Sequence, residues 1–463
     1  MNRNPCPHFA IRLLCLFGVI LALGTPASAE WKEKVLYSFQ GGSDGATPAG
    51  GVVFDKEGNL YGATGDGGSS CPSPGCGTVF QLAPPTTNGD PWTETVLYGF
   101  HGNDGSRPTG GVILDQQGNL YGVTAYGGTG TCLLLGYNVG CGLVYELSPP
   151  AQKGGAWTET VLYSFQNASD GQEPNGNLVF DNAGNLYGAT TFGGGKGTSC
   201  DPFYQYCGMV FKLSPPNQKS GKWTEQKLHS FAGVVNGQQS GDGANPNGGL
   251  VLDSKGAVYG TTYYGGNNQK GSCQGGSWGT GCGMVFKLTP PKRAGGRWTE
   301  KVVHQFNGRD GSNSAAGVVL DANGNLYGTT YFGPPHGYGL IFELKKPSGK
   351  VHSWTEMVLH PFSGGNDGAN PAASLVFDNH GGLYGTASVD GGGAQYGTVL
   401  QLLRKGQAWA ANVLYAFPGA PNGRIPTTSL IFDEDGSLYG TTTEGGNGAC
   451  SYFGCGTVFE VSP

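Results

Sequence analysis

A short pattern of apolar and polar positions recurs seven times along the chain. Its first copy, Gly51 to Thr64, has an apolar run, a four-residue polar turn containing glycine, and a second run that reads Leu-Tyr-Gly. This pattern predicts a β-hairpin. The first run ends in an aspartate in every copy: Asp55, Asp115, Asp181, Asp253, Asp321, Asp378 and Asp433. The chain is therefore a tandem array, and this repetition decides the fold before any single motif is considered.

Each repeat contains two more apolar runs beside the hairpin. A run from Trp31 to Phe39 precedes the first hairpin, and one from Gly77 to Leu82 follows it. The tryptophan-led run returns at Trp92, Trp157, Trp223, Trp298, Trp354 and Trp409. Four strands in each of seven repeats predict an all-β fold, a single seven-bladed β-propeller with four-stranded antiparallel blades. A linear solenoid is the alternative.

The two ends of the array favour the propeller. The chain begins with the tryptophan-led run, which we assign to the outermost strand of a blade, and ends at Val458 to Val461, which we assign to the strand beside it. The N-terminal strand is therefore expected to pair with the last blade and close the ring. Residues 30–463 would form this domain from repeats of about 55–75 residues.

The first 29 residues have the features of a secretory signal peptide. Arg3 and Arg12 precede an apolar run, Leu13 to Leu23, and a small-residue cleavage site follows at Ala27-Ser28-Ala29. This apolar run is too short for a stable membrane anchor. No later segment approaches that length, and no anchor is visible after the last strand. We expect a mature protein that is secreted or extracytoplasmic, is not inserted in a membrane, and is a monomer.

Ten cysteines follow the signal peptide, and they form close pairs at one place in their repeats. In an exported chain, such pairs predict local disulfides. Zinc is the alternative, but the pairs lie in separate repeats without a matching histidine pattern. The predicted disulfides are Cys71 with Cys76, Cys132 with Cys141, Cys200 with Cys207, Cys273 with Cys282, and Cys450 with Cys455.

Composition narrows the classes of partner. Without the signal peptide the chain has 24 Lys and Arg against 32 Asp and Glu, a net charge of −8 with neutral histidines. No basic run is present, and a nucleic-acid partner is not expected because phosphates need a positive surface. The 87 glycines fall between apolar runs, where they mark turns rather than disorder.

The repeat resembles a known family. Asp-Gly-x-x-Pro, Gly-Asn-Leu-Tyr-Gly-Thr-Thr, Gly-Gly and Cys-Gly-Thr-Val-Phe-x-Leu together are similar to the Gloeobacter/Verrucomicrobium-type tandem repeat of secreted bacterial proteins. The hairpin also resembles, more remotely, the NHL-type propeller repeat. The resemblance implies a repeat architecture and export, and it implies no catalytic residue. Members of the family often carry a C-terminal anchor, which is not seen here, so release is expected.

Residues present in every repeat are expected to serve the blade. The aspartate that ends each first apolar run would accept turn amide hydrogens. A second set of aspartates, in the loop before each hairpin, could bind calcium, but no ordered run of oxygen ligands is present, and turn chemistry is favoured. We therefore predict no metal and no cofactor. This second set is Asp44, Asp104, Asp170, Asp242, Asp310 and Asp367, with Asn422 in the last repeat.

One position varies in an organised way, just before the Gly-Gly that opens the cysteine loop. Repeats two to five carry aromatic residues there, and the neighbouring repeats carry acids. Aromatic rings offer flat stacking surfaces for sugars, and two carboxylates can hydrolyse a glycosidic bond. Packing against loops and plain solvation are the alternatives. The residues are Tyr126, Phe192, Tyr264 and Phe332, then Asp66 and Glu444, with Asp390 or, one residue earlier, Val389 in repeat six.

Four further residues are candidates for the same loop face. Trp278 adds an aromatic ring, and Arg107 and Arg424 lie in two of the loops before hairpins. His336, in repeat five, which has no cysteines, is the best isolated base, although a surface histidine without a role is more common. Histidines or tyrosines at one strand position are read as packing residues: Tyr37, Tyr98, Tyr163, His229, His304, His360 and Tyr415.

These observations favour a binding role. The leading hypothesis is an extracellular binding module for carbohydrate or cell-envelope glycan, held on the aromatic residues. The second is a polysaccharide hydrolase or lyase that uses Asp66, Glu444 or Asp390 with His336 or an arginine. The third is a surface component that binds a protein partner. No Gly-x-Ser-x-Gly, His-Glu-x-x-His or phosphate loop is found, so the sequence leaves catalysis undecided and names no catalytic residue with certainty.

Overall fold

The computed structural model describes residues 30–69, 71, 74–87, 89–134, 136–166, 169–195, 207–217, 221–235, 238–239, 242–266, 273, 281–293, 295–334, 336–389, 396–406, 408–450 and 453–463. Over these ranges the chain forms seven antiparallel sheets around one axis. Each sheet has four main strands, which we call A to D from the axis outwards. No helix occurs in the described ranges. The predicted seven-bladed propeller is confirmed, and the solenoid alternative is wrong.

Strands B and C form the middle of each blade. Strand B contains the Tyr-Gly motif, and its bounds are Leu60–Asp66, Leu120–Tyr126, Leu186–Phe192, Val258–Thr262, Leu326–Thr330, Leu383–Ala387 and Leu438–Thr442. Strand C follows the cysteine loop, and its bounds are Thr78–Ala83, Leu143–Ser148, Met209–Ser214, Met284–Thr289, Leu340–Lys345, Thr398–Lys405 and Thr457–Ser462.

Strands D and A lie at the outer and inner edges of each blade. Strand D follows the tryptophan, and its bounds from blade 1 to blade 7 are Thr93–Gly99, Thr158–Ser164, Thr224–Ser230, Thr299–Gln305, Thr355–Pro361, Ala408–Ala416 and Lys32–Ser38. Strand A is short in all blades except blade 3, and its bounds are Val53–Phe54, Ile113–Leu114, Gln172–Phe180, Val251–Leu252, Val319–Leu320, Val376–Phe377 and Ile431–Phe432.

The segment before strand A was predicted to be a loop, but it also pairs with strand B. Ala46–Pro48 pairs with the far end of strand B, Ala46 opposite Asp66 and Pro48 opposite Thr64. Corresponding short strands are Ser106–Pro108, Gly243–Ala244 and Gly423–Arg424, and strand B continues as Tyr264–Gly265 and Glu444–Gly445. Two small hairpins add Leu133–Leu134 with Tyr137–Asn138 and Val234–Val235 with Gln238–Gln239.

The N-terminal strand closes the ring as predicted. Lys32–Ser38 pairs antiparallel with Thr457–Ser462, which in turn pairs with Leu438–Thr442. Blade 7 is therefore built from both ends of the propeller, and Trp31–Pro463 is one compact unit. No helix in the described residues is long and apolar enough to cross a membrane.

The apolar core consists of seven clusters, each at the boundary between two neighbouring blades. At the closing boundary, Leu36 and Phe39 of the N-terminal strand pack with Val52 and Leu60 of blade 1 and with Tyr439 of blade 7. Each sheet thus buries its face against the next sheet, which is how a propeller uses strands that would otherwise expose apolar surface.

The Tyr-Gly motif requires glycine for a steric reason. A Cβ atom on Gly62 would lie 2.5 Å from the ring of Phe80, and one on Gly440 would lie 2.7 Å from the ring of Phe459. Strand B therefore carries no side chain where the strand C aromatic ring crosses it. This contact explains why the motif recurs at the same place in the blades.

Disulfides staple the loops between strands B and C. Cys207 is also disulfide-bonded, but Cys200, its predicted partner, lies outside the described residues. The predicted local disulfides are confirmed for the other four pairs, and disulfides of this kind indicate an oxidising compartment. The four bonds are Cys71–Cys76, Cys132–Cys141, Cys273–Cys282 and Cys450–Cys455.

Truncation of the closing strand's buried side chain should destabilise the whole ring. Leu36→Ala removes a side chain that is only 6% exposed in the closing core. We expect it to lower the free energy of unfolding by about 3 kcal/mol, as large-to-small core substitutions do. Lys32→Ala, on the exposed side of the same strand, is the control and should change it by less than about 0.5 kcal/mol. Denaturant unfolding followed by circular dichroism measures both, and equal stability of the two variants would contradict closure through this strand.

Candidate functional site

The cysteine loops and the loops between strands D and A meet on one face of the propeller. In each D-to-A loop one non-glycine residue has φ between 53° and 58°: Thr47, Arg107, Glu173, Asn245, Asn313, Asn370 and Ile425. Its backbone N–H donates to a carbonyl of the preceding blade's B-to-C loop. In five blades that carbonyl belongs to the second cysteine, at 2.7–3.1 Å: Cys76, Cys141, Cys207, Cys282 and Cys455. The disulfides therefore hold the acceptors that join neighbouring blades.

Tyrosines replace the disulfides in blades 5 and 6. The carbonyls of Tyr338 and Tyr396 accept the equivalent hydrogen bonds, each at 2.8 Å. A Cβ atom on Gly41 would lie 2.1 Å from the sulfur of Cys450, and one on Gly364 would lie 2.4 Å from the ring of Tyr338. A tyrosine ring thus fills the space under the loop that a disulfide fills elsewhere.

A narrow cavity of about 240 Å³ lies on the axis. It is lined by segments of two or three residues from all seven blades, and each lining residue is Gly, Ala, Ser, Thr or Asn. The backbones are in close contact there: a Cβ atom on Gly50 would lie 1.9 Å from the amide nitrogen of Gly111, and one on Gly317 would lie 2.2 Å from the carbonyl oxygen of Gly249. The channel offers neutral hydrogen-bonding groups, and its lining includes no ionisable side chain.

Strand pairing settles which residue of blade 6 matches the variable position. Ser312 pairs with Phe332 in blade 5, and Ala369 pairs with Val389 in blade 6. Val389 is therefore the equivalent of Phe332. The other candidate, Asp390, lies outside the described residues, and so does Trp278.

Two aromatic pairs stand side by side on blades 4 and 5. The ring centroids of Tyr263 and Tyr264 are 4.8 Å apart at 81°, and those of Tyr331 and Phe332 are 4.8 Å apart at 83°. Burial and the nearby hydroxyls of Tyr264 and Tyr331 raise the pKa of Tyr263 to about 12. Phe332 is 41% exposed. We call these four residues the aromatic patch.

Amides from the next blade fix the backbone of the patch. Asn313 Nδ2 donates to the carbonyl of Tyr263, and Asn370 Nδ2 donates to that of Tyr331, each at 2.9 Å. Both asparagines are left-handed residues of the D-to-A loops, a conformation that asparagine adopts more readily than most residues. These hydrogen bonds fix the backbone that carries the patch.

The predicted acidic residues have partners in the structure. Asp66 accepts a hydrogen bond from Thr47 Oγ1 at 2.6 Å. Glu444 forms an ion pair with Arg424, with 3.1 Å between Nε and the carboxylate. The Arg424 guanidinium also lies over the rings of Tyr396 and Phe453, at 4.5 and 4.1 Å. Asp66 and Glu444 therefore stabilise loops of blades 1 and 7.

The remaining predicted residues are spread over the loop face. Tyr126 is half-buried; burial and Glu173 raise its pKa, and Arg107 acts in the opposite direction. Phe192 is also half-buried. His336 is exposed, with its ring centroid 6.2 Å from that of Tyr338. The structure therefore brings Tyr264 and Phe332 into one patch, but not all the predicted residues into one site.

The aspartate of each A-to-B turn is structural, as the sequence indicated. Asp55 Oδ1 accepts the amides of Glu57 and Asn59, and its Oδ2 accepts the hydroxyl of Tyr61. The same tyrosine contact recurs in the other blades at Asp115, Asp181, Asp253, Asp321, Asp378 and Asp433. These carboxylates lie on the opposite face from the patch and fix the hairpin turns.

Polar clusters that the sequence reading missed lie between the outer strands. In five of them, a Tyr or His of one strand D faces the loop aspartate that follows it, and a glutamate of the next strand D faces that aspartate; the sixth lacks the glutamate, and the seventh has Asn422 in place of the aspartate. We call these the interblade clusters. Tyr37, Asp44 and Glu94 form the first, with a 3.0 Å hydrogen bond from the Tyr37 hydroxyl to Asp44. The others are Tyr98/Asp104/Glu159, Tyr163/Asp170/Glu225, His229/Asp242/Glu300, His304/Asp310/Glu356, His360/Asp367 and Tyr415/Asn422/Glu33.

The histidines in these clusters do pack as the sequence predicted, since His229, His304 and His360 each meet a phenylalanine edge-on. Their contacts with aspartates were not predicted. The available signal was the Thr-Glu after most of the tryptophans, in register with an Asp-Gly loop. Tyr263 and Tyr331 were missed too, although the paired aromatics before Gly265 and Gly333 marked blades 4 and 5.

Comparison with known sequences supports the family resemblance. Residues 272–463 match the sequence model of the Gloeobacter/Verrucomicrobia repeat, which confirms the resemblance over these residues. None of the curated proteins matches this sequence.

Solved structures with a similar fold are distant. A Bacteroides uniformis protein assigned as a 6-phosphogluconolactonase has 12% identity and a TM-score of 0.47, over 82% of this chain and 88% of its own. PorZ, a surface component of the type-IX secretion system of Porphyromonas gingivalis, has 16% identity and a TM-score of 0.47, over 92% of this chain and 47% of its own. A Trichoderma reesei protein of the carbohydrate-active family AA12 has 11% identity and a TM-score of 0.41, over 94% and 96%. These likenesses are too remote to inform function.

The interblade clusters predict a stability that falls as pH rises. Burial, with the adjacent charges of Asp44, Asp104 and Asp170, raises the pKa of Glu94, Glu159 and Glu225 to about 7, and Lys227 opposes the rise at Glu225. A carboxyl whose pKa is higher in the folded chain stabilises the fold below its unfolded pKa, and this contribution is lost as pH rises through about 7.

We therefore expect a lower Tm at pH 8 than at pH 5. The triple variant Glu94→Gln/Glu159→Gln/Glu225→Gln should have a smaller Tm difference between these pH values, because its amides do not ionise. Glu57→Gln, on an exposed turn, should keep the difference of the unmodified protein. Differential scanning calorimetry at both pH values measures this, and an unchanged difference in the triple variant would contradict the assignment.

Proposed function

We propose that this propeller, whose residues 272–463 match the Gloeobacter/Verrucomicrobia repeat, is an exported binding protein that holds a carbohydrate on its loop-rich face. The aromatic patch of blades 4 and 5 is the observation that carries the proposal. It supplies four rings on neighbouring blades, two of them in each edge-on pair. Flat apolar ring faces with polar groups at their edges suit the ring faces of sugars.

The rigidity of the patch supports a binding role. The Asn313 and Asn370 side chains donate to the carbonyls of Tyr263 and Tyr331, so the backbone that carries the rings is fixed by the protein itself. A site that is ordered in advance loses less conformational entropy on binding. The axial cavity adds neutral Asn, Ser and Thr groups, which hydrogen-bond hydroxyls without requiring a charged ligand.

The positions of the candidate acidic residues give less support to glycoside hydrolysis. Glycoside hydrolysis needs two carboxyl groups on opposite sides of the scissile bond. The carboxylate of Asp66 already accepts a hydrogen bond from Thr47, and the carboxylate of Glu444 already forms an ion pair with Arg424. No observation in the described residues favours the hydrolase or lyase alternative over binding.

Removal of the patch should abolish binding of a polysaccharide. The protein would be mixed with a panel of insoluble and immobilised polysaccharides, and its depletion from solution measured. We expect the double variant Tyr263→Ala/Phe332→Ala to weaken binding by at least tenfold, since aromatic anchors dominate such contacts. Tyr137→Ala, which removes a 77% exposed ring from the blade 2 cysteine loop, is the matched control and should bind normally.

A second double variant, Tyr126→Ala/Phe192→Ala, tests whether the site extends over blades 2 and 3. Loss of binding in this variant alone would move the site away from the patch. Failure of the unmodified protein to bind any polysaccharide would overturn the glycan proposal and favour a protein partner.

Export predicts a processed N-terminus. Expressed with its own leader in a bacterial host, the protein should be recovered outside the cytoplasm, beginning at Glu30 after cleavage at the small-residue site. Intact mass spectrometry measures this. Ala29→Asp should block cleavage and serves as the control, whereas a mature protein that retains Met1 would contradict export by this route.

A further inference from the structure

The interblade cluster of His304, Asp310 and Glu356 differs from the others in how its polar atoms are arranged. One ligand-type atom from each of the three side chains lies within 4.8 Å of the other two. His304 Nε2 and one carboxylate oxygen of Glu356 are buried and make no hydrogen bond to any described residue. The equivalent glutamate oxygen is unpartnered in the other interblade clusters that contain a glutamate, so the unpartnered histidine nitrogen is what sets this cluster apart. Buried polar atoms without partners are costly, so this arrangement calls for an additional group.

The separation of His304 and Asp310 fits a shared metal ion better than a direct bond. His304 Nε2 lies 3.3 Å from Asp310 Oδ2, which is longer than the usual N–H···O distance of about 2.9 Å. Two ligands that each lie about 2.1 Å from a tetrahedral zinc ion are about 3.4 Å apart. A carboxylate oxygen of Glu356 lies within 4.8 Å of both atoms.

The other histidine clusters show the alternative arrangement. His229 Nε2 hydrogen-bonds directly to Asp242 at 3.1 Å, and His360 Nε2 does so to Asp367 at 3.0 Å. In these two clusters the histidine nitrogen already has a partner. The cluster with His304 therefore stands apart from the other two histidine clusters.

The cluster of His360 and Asp367 has no glutamate. Glu356 lies opposite Leu344 in blade 5, and the residue in the same register of blade 6, opposite Leu402, is Ala411. The chain thus contains a natural version of the cluster with only two of the three donors. In the first three clusters a tyrosine hydroxyl donates to the aspartate in place of the histidine.

We propose that His304, Asp310 and Glu356 bind a divalent transition metal ion of the zinc type between the outer strands of blades 4 and 5. One imidazole nitrogen and two carboxylates are a donor set that such ions accept, with water in the remaining positions. His304 and Glu356 come from adjacent blades, so the ion links them across their boundary. The disulfides, by contrast, lie within single loops.

A bound metal ion would also neutralise the negative charge of the carboxylates. Asp310 and Glu356 place two carboxylates in a half-buried site with side-chain exposures of 18% for His304 and 16% for Asp310. A divalent ion balances both carboxylates at once. This site is not evident from the sequence because its donors are 52 residues apart from first to last and no ligand spacing motif joins them.

The test uses tag-free mature protein, freed of metal with EDTA and then dialysed. Zn²⁺ is titrated by calorimetry, and bound zinc is measured by mass spectrometry after gel filtration. Ca²⁺ and Mg²⁺ are titrated in parallel. We expect one equivalent of zinc per chain, a zinc-dependent rise in Tm, and no comparable effect of Ca²⁺ or Mg²⁺.

Three variants copy arrangements that the chain already contains. Glu356→Ala copies Ala411, and His304→Tyr copies the tyrosine clusters; each should weaken zinc binding at least tenfold while it leaves the metal-free Tm within a few degrees. His360→Tyr is the matched control and should bind zinc as the unmodified protein does. If His304→Tyr does not fold, the Glu356→Ala variant alone tests the proposed zinc site.

Three results would overturn the proposal. They are the absence of zinc uptake, zinc uptake by Glu356→Ala equal to that of the unmodified protein, and loss of zinc in His360→Tyr. Equal binding of Ca²⁺ would overturn the assignment to a transition metal. None of these outcomes depends on whether the aromatic patch binds a carbohydrate.

Discussion

Seven apolar boundaries between blades hold the propeller together, and the seventh exists only because the ring closes. Each blade buries an apolar face only against its neighbours, so an open array would leave two faces exposed to water. Pairing of Lys32–Ser38 with Thr457–Ser462 makes the seventh boundary like the other six. At this boundary Asn422 replaces the loop aspartate and donates to Glu33 at 2.6 Å. The closing cluster therefore avoids the pair of facing carboxyl groups that other clusters contain.

Close approach at the axis follows from the same closure. Seven short segments meet around a small cavity, and the backbones of blades 1 and 2 touch through Gly50 and Gly111. Glycine serves here because any side chain would force the blades apart. The result is a narrow channel of small, neutral residues. Larger side chains that could contact a ligand therefore lie further out, on the loops. This is why the aromatic patch, rather than the axis, carries the proposed function.

The loop face combines uniform support with variable side chains. Every left-handed loop residue donates its N–H to the preceding blade, whether the acceptor is a cysteine or, in blades 5 and 6, Tyr338 or Tyr396. Because that support is in the backbone, the side chains above it are free to differ. Thr47, Arg107 and Asn313 occupy equivalent positions with unlike chemistry. A repeat fold thus presents one asymmetric surface from seven nearly equivalent units.

The polar clusters between outer strands illustrate how one arrangement takes different chemistry. A tyrosine hydroxyl donates to Asp44 or Asp170, and a histidine takes its place at Asp242 and Asp367. Substitution of one ring for another preserves the packing against phenylalanine but changes what the cluster can bind. Facing carboxyl groups in a half-buried boundary also make the stability of the ring depend on pH.

The repeat, the strand order, the closure of the ring and the local cysteine pairs could all be predicted from the sequence, because each follows from the pattern within the repeats and at the two ends of the array. It also indicated that Tyr264 and Phe332 lie on the loop face. The fold was needed to show that Arg424 pairs with Glu444, that Val389 rather than Asp390 matches the aromatic position, and that Glu356 faces Asp310. The first two contacts come from pairing of strand B with the segment before strand A of the same blade, and the third comes from packing between neighbouring blades. In each case residues 20 or more positions apart become neighbours, which periodicity alone cannot specify.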